Sequence, residues 1–218
     1  MAHYRNMKVF QVNIILVILL FSCGNNENKP PNENSNLLRS SYFLLNRWLT
    51  YYDLEMKYFI DSLPMVERKV FEYEYDIKTD SKNNLKEFFI YSPDSANCID
   101  LDSYSLIVEN DSKGYLVCTG NEVDSEVAMV DINGKRKIRI VFCGTDCWAE
   151  EAQWVRNDFF YILGFSEIEN QYFPTIWTFE KNNHFFQKIK TKKPIASIKM
   201  NYTRDIRLKR IKFKYNAP

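Results

Sequence analysis

The chain has 218 residues, of which 16% are aromatic, and its formal net charge at pH 7 is +1. It contains two histidines, His3 and His184. Serine-hydrolase, cysteine–histidine and multi-histidine zinc chemistries all need placed imidazoles, so this scarcity argues against those enzyme classes. The composition and length are those of one globular domain with a substantial core.

The N-terminal segment is basic and then apolar. Arg5 and Lys8 precede an apolar run over residues 9–21. This run is too short to span a bilayer, which needs about 20 apolar residues, but it suits the central part of a signal peptide. Because Met7 and Lys8 already begin a complete short leader, both Met1 and Met7 are candidate start sites.

The sequence Leu20-Phe21-Ser22-Cys23 closes this segment. It resembles the lipobox of bacterial lipoproteins, in which a small residue precedes an obligatory cysteine. The resemblance implies a signal peptide over 1–22, cleavage before Cys23 and a diacylglycerol on its thiol. The alternatives are an ordinary secretory leader, although no Ala-x-Ala cleavage site is present, and a membrane anchor with unfavourable flanking residues. The covalent lipid on Cys23 is the only cofactor that we expect.

Residues 23–40 are rich in Asn, Glu and Pro, which predicts a flexible tether behind the lipidated cysteine. Their composition resembles that of Bacteroidota lipoproteins. This resemblance implies a location in the cell envelope, with the chain anchored to a bacterial membrane, which we expect to be the outer membrane. The leaflet and the exposure to periplasm or cell surface stay open.

An apolar stripe that includes Leu45, Trp48, Tyr52 and Met56 predicts an amphipathic helix within residues 41–63, ended by Pro64. Beyond it the apolar period changes to two, which predicts strands. The predicted strands are 71–77, 86–92, 98–107, 115–119, 126–132, 137–143, 152–156, 159–165, 173–180 and 184–190. Asn133-Gly134 and, less strongly, Asn182-Asn183 predict hairpins.

Two stretches share an organisation. Residues 91–142 and 154–189 each predict a four-stranded meander of the size of a propeller blade. Ser92-Pro93-Asp94 resembles a turn of periplasmic Tol-type and WD-repeat propellers. Residues 41–218 are too few for the four or more blades that propellers typically have. We therefore predict a mainly β domain over 41–218, an antiparallel meander sheet or sandwich, with blade-like repeats as one form of it and one N-terminal amphipathic helix.

Four cysteines follow Cys23, namely Cys98, Cys118, Cys143 and Cys147. They allow three pairings, and the sequence does not choose between them. Cys143 and Cys147 flank a plausible turn, Gly144-Thr145-Asp146. We favour a structural disulfide closing this turn over a redox or metal role, because redox pairs use a Cys-x-x-Cys spacing that opens a helix.

Trp148 and Trp154 flank Glu150 and Glu151, a combination seen in sugar-binding and glycosidase sites. Adjacent residues on a strand point to opposite faces, so these two carboxylates would not flank one glycosidic bond. We expect tryptophans that pack in the core and glutamates that are solvated. Glycan binding or cleavage through this cluster is the alternative function. No calcium loop or phosphate loop is predicted, so we expect no metal site.

The C-terminal segment is strongly basic. Residues 188–218 carry a net charge of +10, against −11 for the rest of the mature chain. The alternation of apolar and basic residues over 206–215, with a slip at Lys209-Arg210, predicts a closing strand with a β-bulge. Anionic head groups or an acidic envelope protein are candidate partners, whereas nucleic acid is not expected outside the cytoplasm. The alternative is pairing with the acidic stretch 94–131 of the same domain. The candidate binding residues are Lys209, Arg210, Lys212 and Lys214.

These patterns favour a membrane-anchored, non-enzymatic β-domain that binds or scaffolds a component of the cell envelope. A glycan-binding or glycan-active protein is the alternative.

Overall fold

The computed structural model describes residues 33–67, 69–80, 83–196 and 202–214, with side chains described from residue 42 onward. The predicted signal peptide, Cys23 and residues 24–32 lie outside the described residues.

One helix and fourteen strands make up the regular structure of the described residues. The helix is α1 (Glu33–Tyr51). The strands are β1 (Phe59–Ser62), β2 (Val66–Glu67), β3 (Phe71–Glu74), β4 (Ile90–Tyr91), β5 (Asn97–Asp100), β6 (Leu106–Asn110), β7 (Leu116–Asn121), β8 (Ser125–Asp131), β9 (Arg136–Cys143), β10 (Cys147–Arg156), β11 (Phe159–Ile168), β12 (Gln171–Glu180), β13 (Phe185–Thr191) and β14 (Lys212–Phe213). Three single turns of 3-10 or π-helix lie at Met56–Tyr58, Lys86–Phe88 and Thr203–Arg207.

Helix α1 differs from its prediction at both ends. It begins at Glu33, inside the predicted tether, and it ends at Tyr51 rather than before Pro64. Asp53 takes a left-handed conformation with φ of 54°. The N–H of Leu54 donates to the carbonyl of Leu49 at 2.8 Å, and the N–H of Asp53 donates to that of Thr50. These two bonds form a Schellman motif, which ends the helix independently of the proline.

The strands form three sheets. A six-stranded sheet has the order β1-β13-β12-β11-β10, with β2 also pairing along β13. A five-stranded sheet has the order β3-β9-β8-β5-β4, and a small sheet has the order β14-β7-β6. The strand pairs are antiparallel except β14 with β7. The mainly β, antiparallel fold with an N-terminal helix is therefore confirmed.

Both predicted meanders are present. Strands β10 to β13 follow one another through the six-stranded sheet, and β4-β5-β8-β9 form the second meander, with the β6–β7 hairpin inserted between β5 and β8. The two meanders face each other across one apolar core. Its buried members include Ile99, Val127, Met129, Ile138 and Ile140 from one sheet and Trp154, Phe160, Ile162, Trp177 and Phe179 from the other.

The two predicted hairpins are confirmed, but each has a four-residue loop rather than a two-residue turn. Asp131 pairs with Arg136, and Glu180 pairs with Phe185. The last loop residue, Lys135 or His184, is left-handed in each case. The predicted strand 98–107 is wrong as one strand, because a turn separates β5 from β6.

The C-terminal prediction needs correction. Residues 203–207 form a π-helical turn, and within the described residues 202–214 only Lys212–Phe213 form a strand, in parallel pairing with β7. Leu208 and Ile211 both enter a small core beside the β6–β7 hairpin. Two apolar residues three positions apart fit a helical turn better than a strand, in which they would point to opposite faces.

Candidate functional site

The predicted disulfide is present. Cys143 and Cys147 are bonded, with their Cα atoms 5.1 Å apart. Cys143 ends β9 in one large sheet and Cys147 begins β10 in the other, so the bond fastens the crossover between the two sheets. Cys98 and Cys118 are buried and lie outside the disulfide, and the Cys118 thiol donates to the carbonyl of Gly120 at 3.4 Å. Burial raises the pKa of Cys98 to about 12, so its thiol is neutral and unreactive at physiological pH.

The tryptophans of β10 have different environments. Trp154 is fully buried, and its indole N–H donates to the carbonyl of Ile90 at 2.8 Å. It is therefore a core residue that links the two large sheets, and its candidacy as a binding residue is corrected. Trp148 is half-buried, and its indole stacks on Phe165 with ring centroids 5.2 Å apart. Of the two indoles, only Trp148 could reach a ligand.

The expectation of solvated glutamates is wrong, as is the expectation that they point to opposite faces. Glu150 and Glu151 are 2% and 3% exposed, and both side chains meet residues of α1. The cause is a β-bulge, because Ala149 pairs with Gly164 and Glu151 with Leu163, which leaves Glu150 as an extra residue. Gly164 permits this close approach, since a Cβ there would overlap the carbonyl oxygen of Trp148.

Glu150 and Glu151 accept hydrogen bonds from two distant parts of the chain. The Glu150 carboxyl accepts from Trp48 Nε1 at 2.8 Å and from the Tyr52 hydroxyl at 2.7 Å. Trp48 lies in the last turn of α1, and Tyr52 directly follows the helix. Glu151 Oε2 accepts from Arg47 Nη2 at 2.7 Å and from the Tyr202 hydroxyl at 3.1 Å. The pair therefore ties α1 and the C-terminal segment to the same strand.

A second cation extends this acidic cluster. Arg207 Nε donates to the main-chain carbonyl of Glu150 at 2.8 Å, and its two terminal nitrogens form a bidentate pair with Asp102. The Arg207 side chain is 9% exposed. Burial alone would lower its pKa, but the Asp102 carboxylate outweighs burial and raises it. Arg207 therefore stays charged, and the pair anchors the C-terminal segment.

Among the residues that the structure describes, no cation forms an ion pair with Glu150. Arg47 pairs with Glu151, and Arg207 pairs with Asp102. Burial raises the pKa of Glu150 to about 7, although the hydrogen bonds from Tyr52 and Trp48 act in the opposite direction. A protonated Glu150 makes these five groups neutral in sum, whereas an ionised one adds an uncompensated buried charge.

Sequence reasoning missed the partners of the acidic pair. Arg47, Tyr52, Tyr202 and Arg207 lie between 51 and 155 positions from the residues they contact. No local spacing signals such contacts. The protein's own donors occupy both carboxyls, so the cluster holds the fold together and offers no open site to a substrate.

A surface that the sequence did not single out lies on β3, β9 and the turn before β6. We call Phe71, Arg139, Phe142 and Tyr104 the aromatic row. The Arg139 guanidinium lies 5.0 Å from the Phe71 ring centroid and 4.5 Å from that of Phe142, and Tyr104 meets Phe142 edge-on at 5.6 Å. Glu126, which is buried, accepts from Arg139 Nε at 2.5 Å and fixes its orientation. The three rings are exposed.

The predicted basic residues are exposed and partly engaged within the domain. Arg210 Nη2 lies 3.2 Å from a Glu87 carboxylate oxygen, and Lys212 Nζ lies 4.2 Å from the ring centroid of Tyr115. Lys209 and Lys214 are also exposed. The basic segment does meet the acidic stretch 94–131, chiefly through Arg207, which was not among the predicted binding residues.

Comparisons with protein-family models, with curated proteins and with solved structures returned no match. Among the residues that the structure describes, no three or more His, Cys, Asp or Glu side chains are grouped to hold a metal ion. None of the helices in the described part of the chain is both long and apolar enough to cross a membrane.

Proposed function

We propose that this chain is a lipid-anchored protein of the bacterial cell envelope whose β-domain binds or scaffolds another envelope component. The observation that carries the proposal is Leu20-Phe21-Ser22-Cys23 at the end of a short apolar segment. The disulfide between Cys143 and Cys147 supports an extracytoplasmic location, because disulfides persist in oxidising compartments.

The burial of the Glu150 and Glu151 carboxyls supports binding over catalysis. A general acid–base pair must reach its substrate, and the carboxyls of Glu150 and Glu151 are buried and hydrogen-bonded to the protein itself. His184, the only histidine after the predicted cleavage site, lies in a hairpin loop with its ring near Phe179.

The aromatic row is the surface that best suits binding. Aromatic and arginine side chains are enriched where proteins bind partners, and contiguous exposed apolar surface marks such sites. The pairing of Arg139 with Glu126 fixes the row before binding, which lowers the entropy cost of association. Photo-crosslinking from Tyr104 in intact envelopes, with and without Phe71→Ala and Phe142→Ala, tests the row for a protein partner. A panel of envelope glycans tests the alternative ligand class.

Metabolic labelling with palmitate tests the anchor. We expect label on the wild-type chain and on Ser22→Ala, which keeps a small residue before the cysteine. We expect no label on Cys23→Ser, and loss of this variant from the membrane fraction. Label that persists on Cys23→Ser, or that is absent from the wild-type chain, would contradict the proposal.

A further inference from the structure

The outer edge of the six-stranded sheet exposes an unusual run of apolar side chains. We define the edge patch by four of them with exposed fractions from 43% to 64%, namely Tyr58, Ile60, Leu63 and Val66. Native sheet edges are normally protected by charge, proline or a covering segment. Exposed apolar side chains grouped along one sheet edge indicate a surface that contacts something else.

The edge patch is held in place by the backbone. Ser62 pairs with Ile189 and Val66 pairs with Phe186, both on β13. Between them, the N–H of Leu63 donates to the carbonyl of Lys188 at 2.9 Å. Residues 59–67 thus run beside β13 over the whole length of that strand. The patch cannot turn inward without breaking these bonds.

The surroundings of the edge patch are basic. Lys192 donates its backbone N–H to the carbonyl of Tyr58, and Lys192 and Lys193 are both exposed. Neither lysine forms an ion pair with a residue that the structure describes.

Two of the four nearby acidic groups are paired. Glu55 pairs with Lys57 at 2.7 Å, and Asp61 pairs with Lys190 at 2.5 Å. Asp53, whose charge acts on Tyr58, and Glu67, at the far end of the segment, form no ion pair with a described residue. The patch therefore combines aliphatic and tyrosyl side chains with two lysines, Lys192 and Lys193, that are not held in ion pairs.

We propose that the edge patch binds an anionic phospholipid surface, with Ile60, Leu63 and Tyr58 entering the interfacial layer and Lys192 and Lys193 facing the head groups. Apolar contact combined with attraction to anionic lipids is how peripheral surfaces bind membranes. The proposal rests on the proposed lipid anchor, which would keep the domain at a membrane.

The length of chain before the helix agrees with this occupant. Cys23 and Glu33 are ten positions apart in the sequence, so the chain between them can extend over at most about 36 Å. The lipid would thus present the domain to the bilayer at high effective concentration.

Flotation with vesicles tests the edge patch separately from the anchor. The mature chain, residues 23–218 with Cys23→Ser, is mixed with vesicles of phosphatidylglycerol and phosphatidylethanolamine. We expect it to float at low salt, and at least tenfold weaker binding for Ile60→Ser/Leu63→Ser. Lys192→Gln/Lys193→Gln should reduce binding at low salt only, because high salt already screens those charges in the parent chain.

Ile107→Ser/Val123→Ser is the matched control, because these side chains are 47% and 74% exposed elsewhere on the domain. This control should float like the parent chain. Absence of flotation, or flotation that Ile60→Ser/Leu63→Ser leaves unchanged, would overturn the proposal. Crosslinking of position 60 to an envelope protein, without vesicle binding, would assign the patch to a protein partner instead. None of these outcomes depends on lipidation of Cys23, which the palmitate assay measures.

Discussion

Replacing Glu150 with Gln should stabilise the protein at alkaline pH. In the folded state the Glu150 carboxyl is buried between Trp48 and Tyr52, and its two neighbouring arginines are paired with other carboxylates. Gln keeps the shape of the neutral acid. Its carbonyl can accept from Trp48, and its amide can donate to the Tyr52 hydroxyl.

The size of this effect follows from the pKa of Glu150. Burial raises it from an ordinary 4.5 to about 7, so the folded state holds a proton that the unfolded state has lost. The stability from this group is complete below pH 4.5 and is lost as the pH rises toward 7. Above that pH, the ionised Glu150 costs about 3 kcal/mol of unfolding free energy relative to the neutral form.

Urea denaturation from pH 4 to pH 9 measures this difference. Glu150→Gln should match the wild-type protein at pH 4 and exceed it in unfolding free energy by up to about 3 kcal/mol at pH 8. The adjacent substitution Glu151→Gln is the control. It removes the ionic partner of Arg47, so it should destabilise the protein at pH 8. Equal destabilisation by both substitutions would refute the assignment of Glu150 as the unpaired carboxyl.

Three further substitutions test the packing. Arg207→Ala leaves Asp102 buried and unpaired, and it should lower the unfolding free energy measured in urea by about 3–5 kcal/mol. Arg210→Ala removes an exposed ion pair and should lower it by less than about 1 kcal/mol. Similar losses for the two substitutions would contradict this contrast. Gly164→Ala forces a Cβ against the facing strand β10, and it should abolish soluble expression or lower the unfolding free energy by about 3 kcal/mol or more. A variant with the wild-type melting temperature would disprove the close approach of the two strands at this position. Cys143→Ser opens the short disulfide loop and should cost about 2 kcal/mol. Reduction of the wild-type protein should have the same effect, and a midpoint insensitive to both would argue against a stabilising role.

The fold could largely be predicted where the signal was local. The period-two runs and the turn residues in Asn133-Gly134 and Asn182-Asn183 predicted both meanders, because sheet-facing alternation and hairpin loops are encoded within a few residues. The C-terminal segment was misread for the opposite reason. Its alternation resembles that of a strand, but burial of Leu208 and Ile211 in a distant core decides its conformation.

The candidate site could not be predicted in the same way. The adjacency of Glu150 and Glu151 suggested opposite faces, and only the bulge opposite Gly164 places both under α1. A bulge depends on the partner strand, and the donors Arg47 and Tyr202 come from the two ends of the domain. The disulfide could be anticipated because its two cysteines are four residues apart with a turn between them.

The intact mass of the chain isolated from the membrane fraction tests the central claim most directly. We expect a mature protein that starts at Cys23 and is heavier than its amino-acid sequence by a diacylglycerol, with or without a further acyl chain. A chain that begins at Met1 or Met7, or one cleaved elsewhere without lipid, would contradict it.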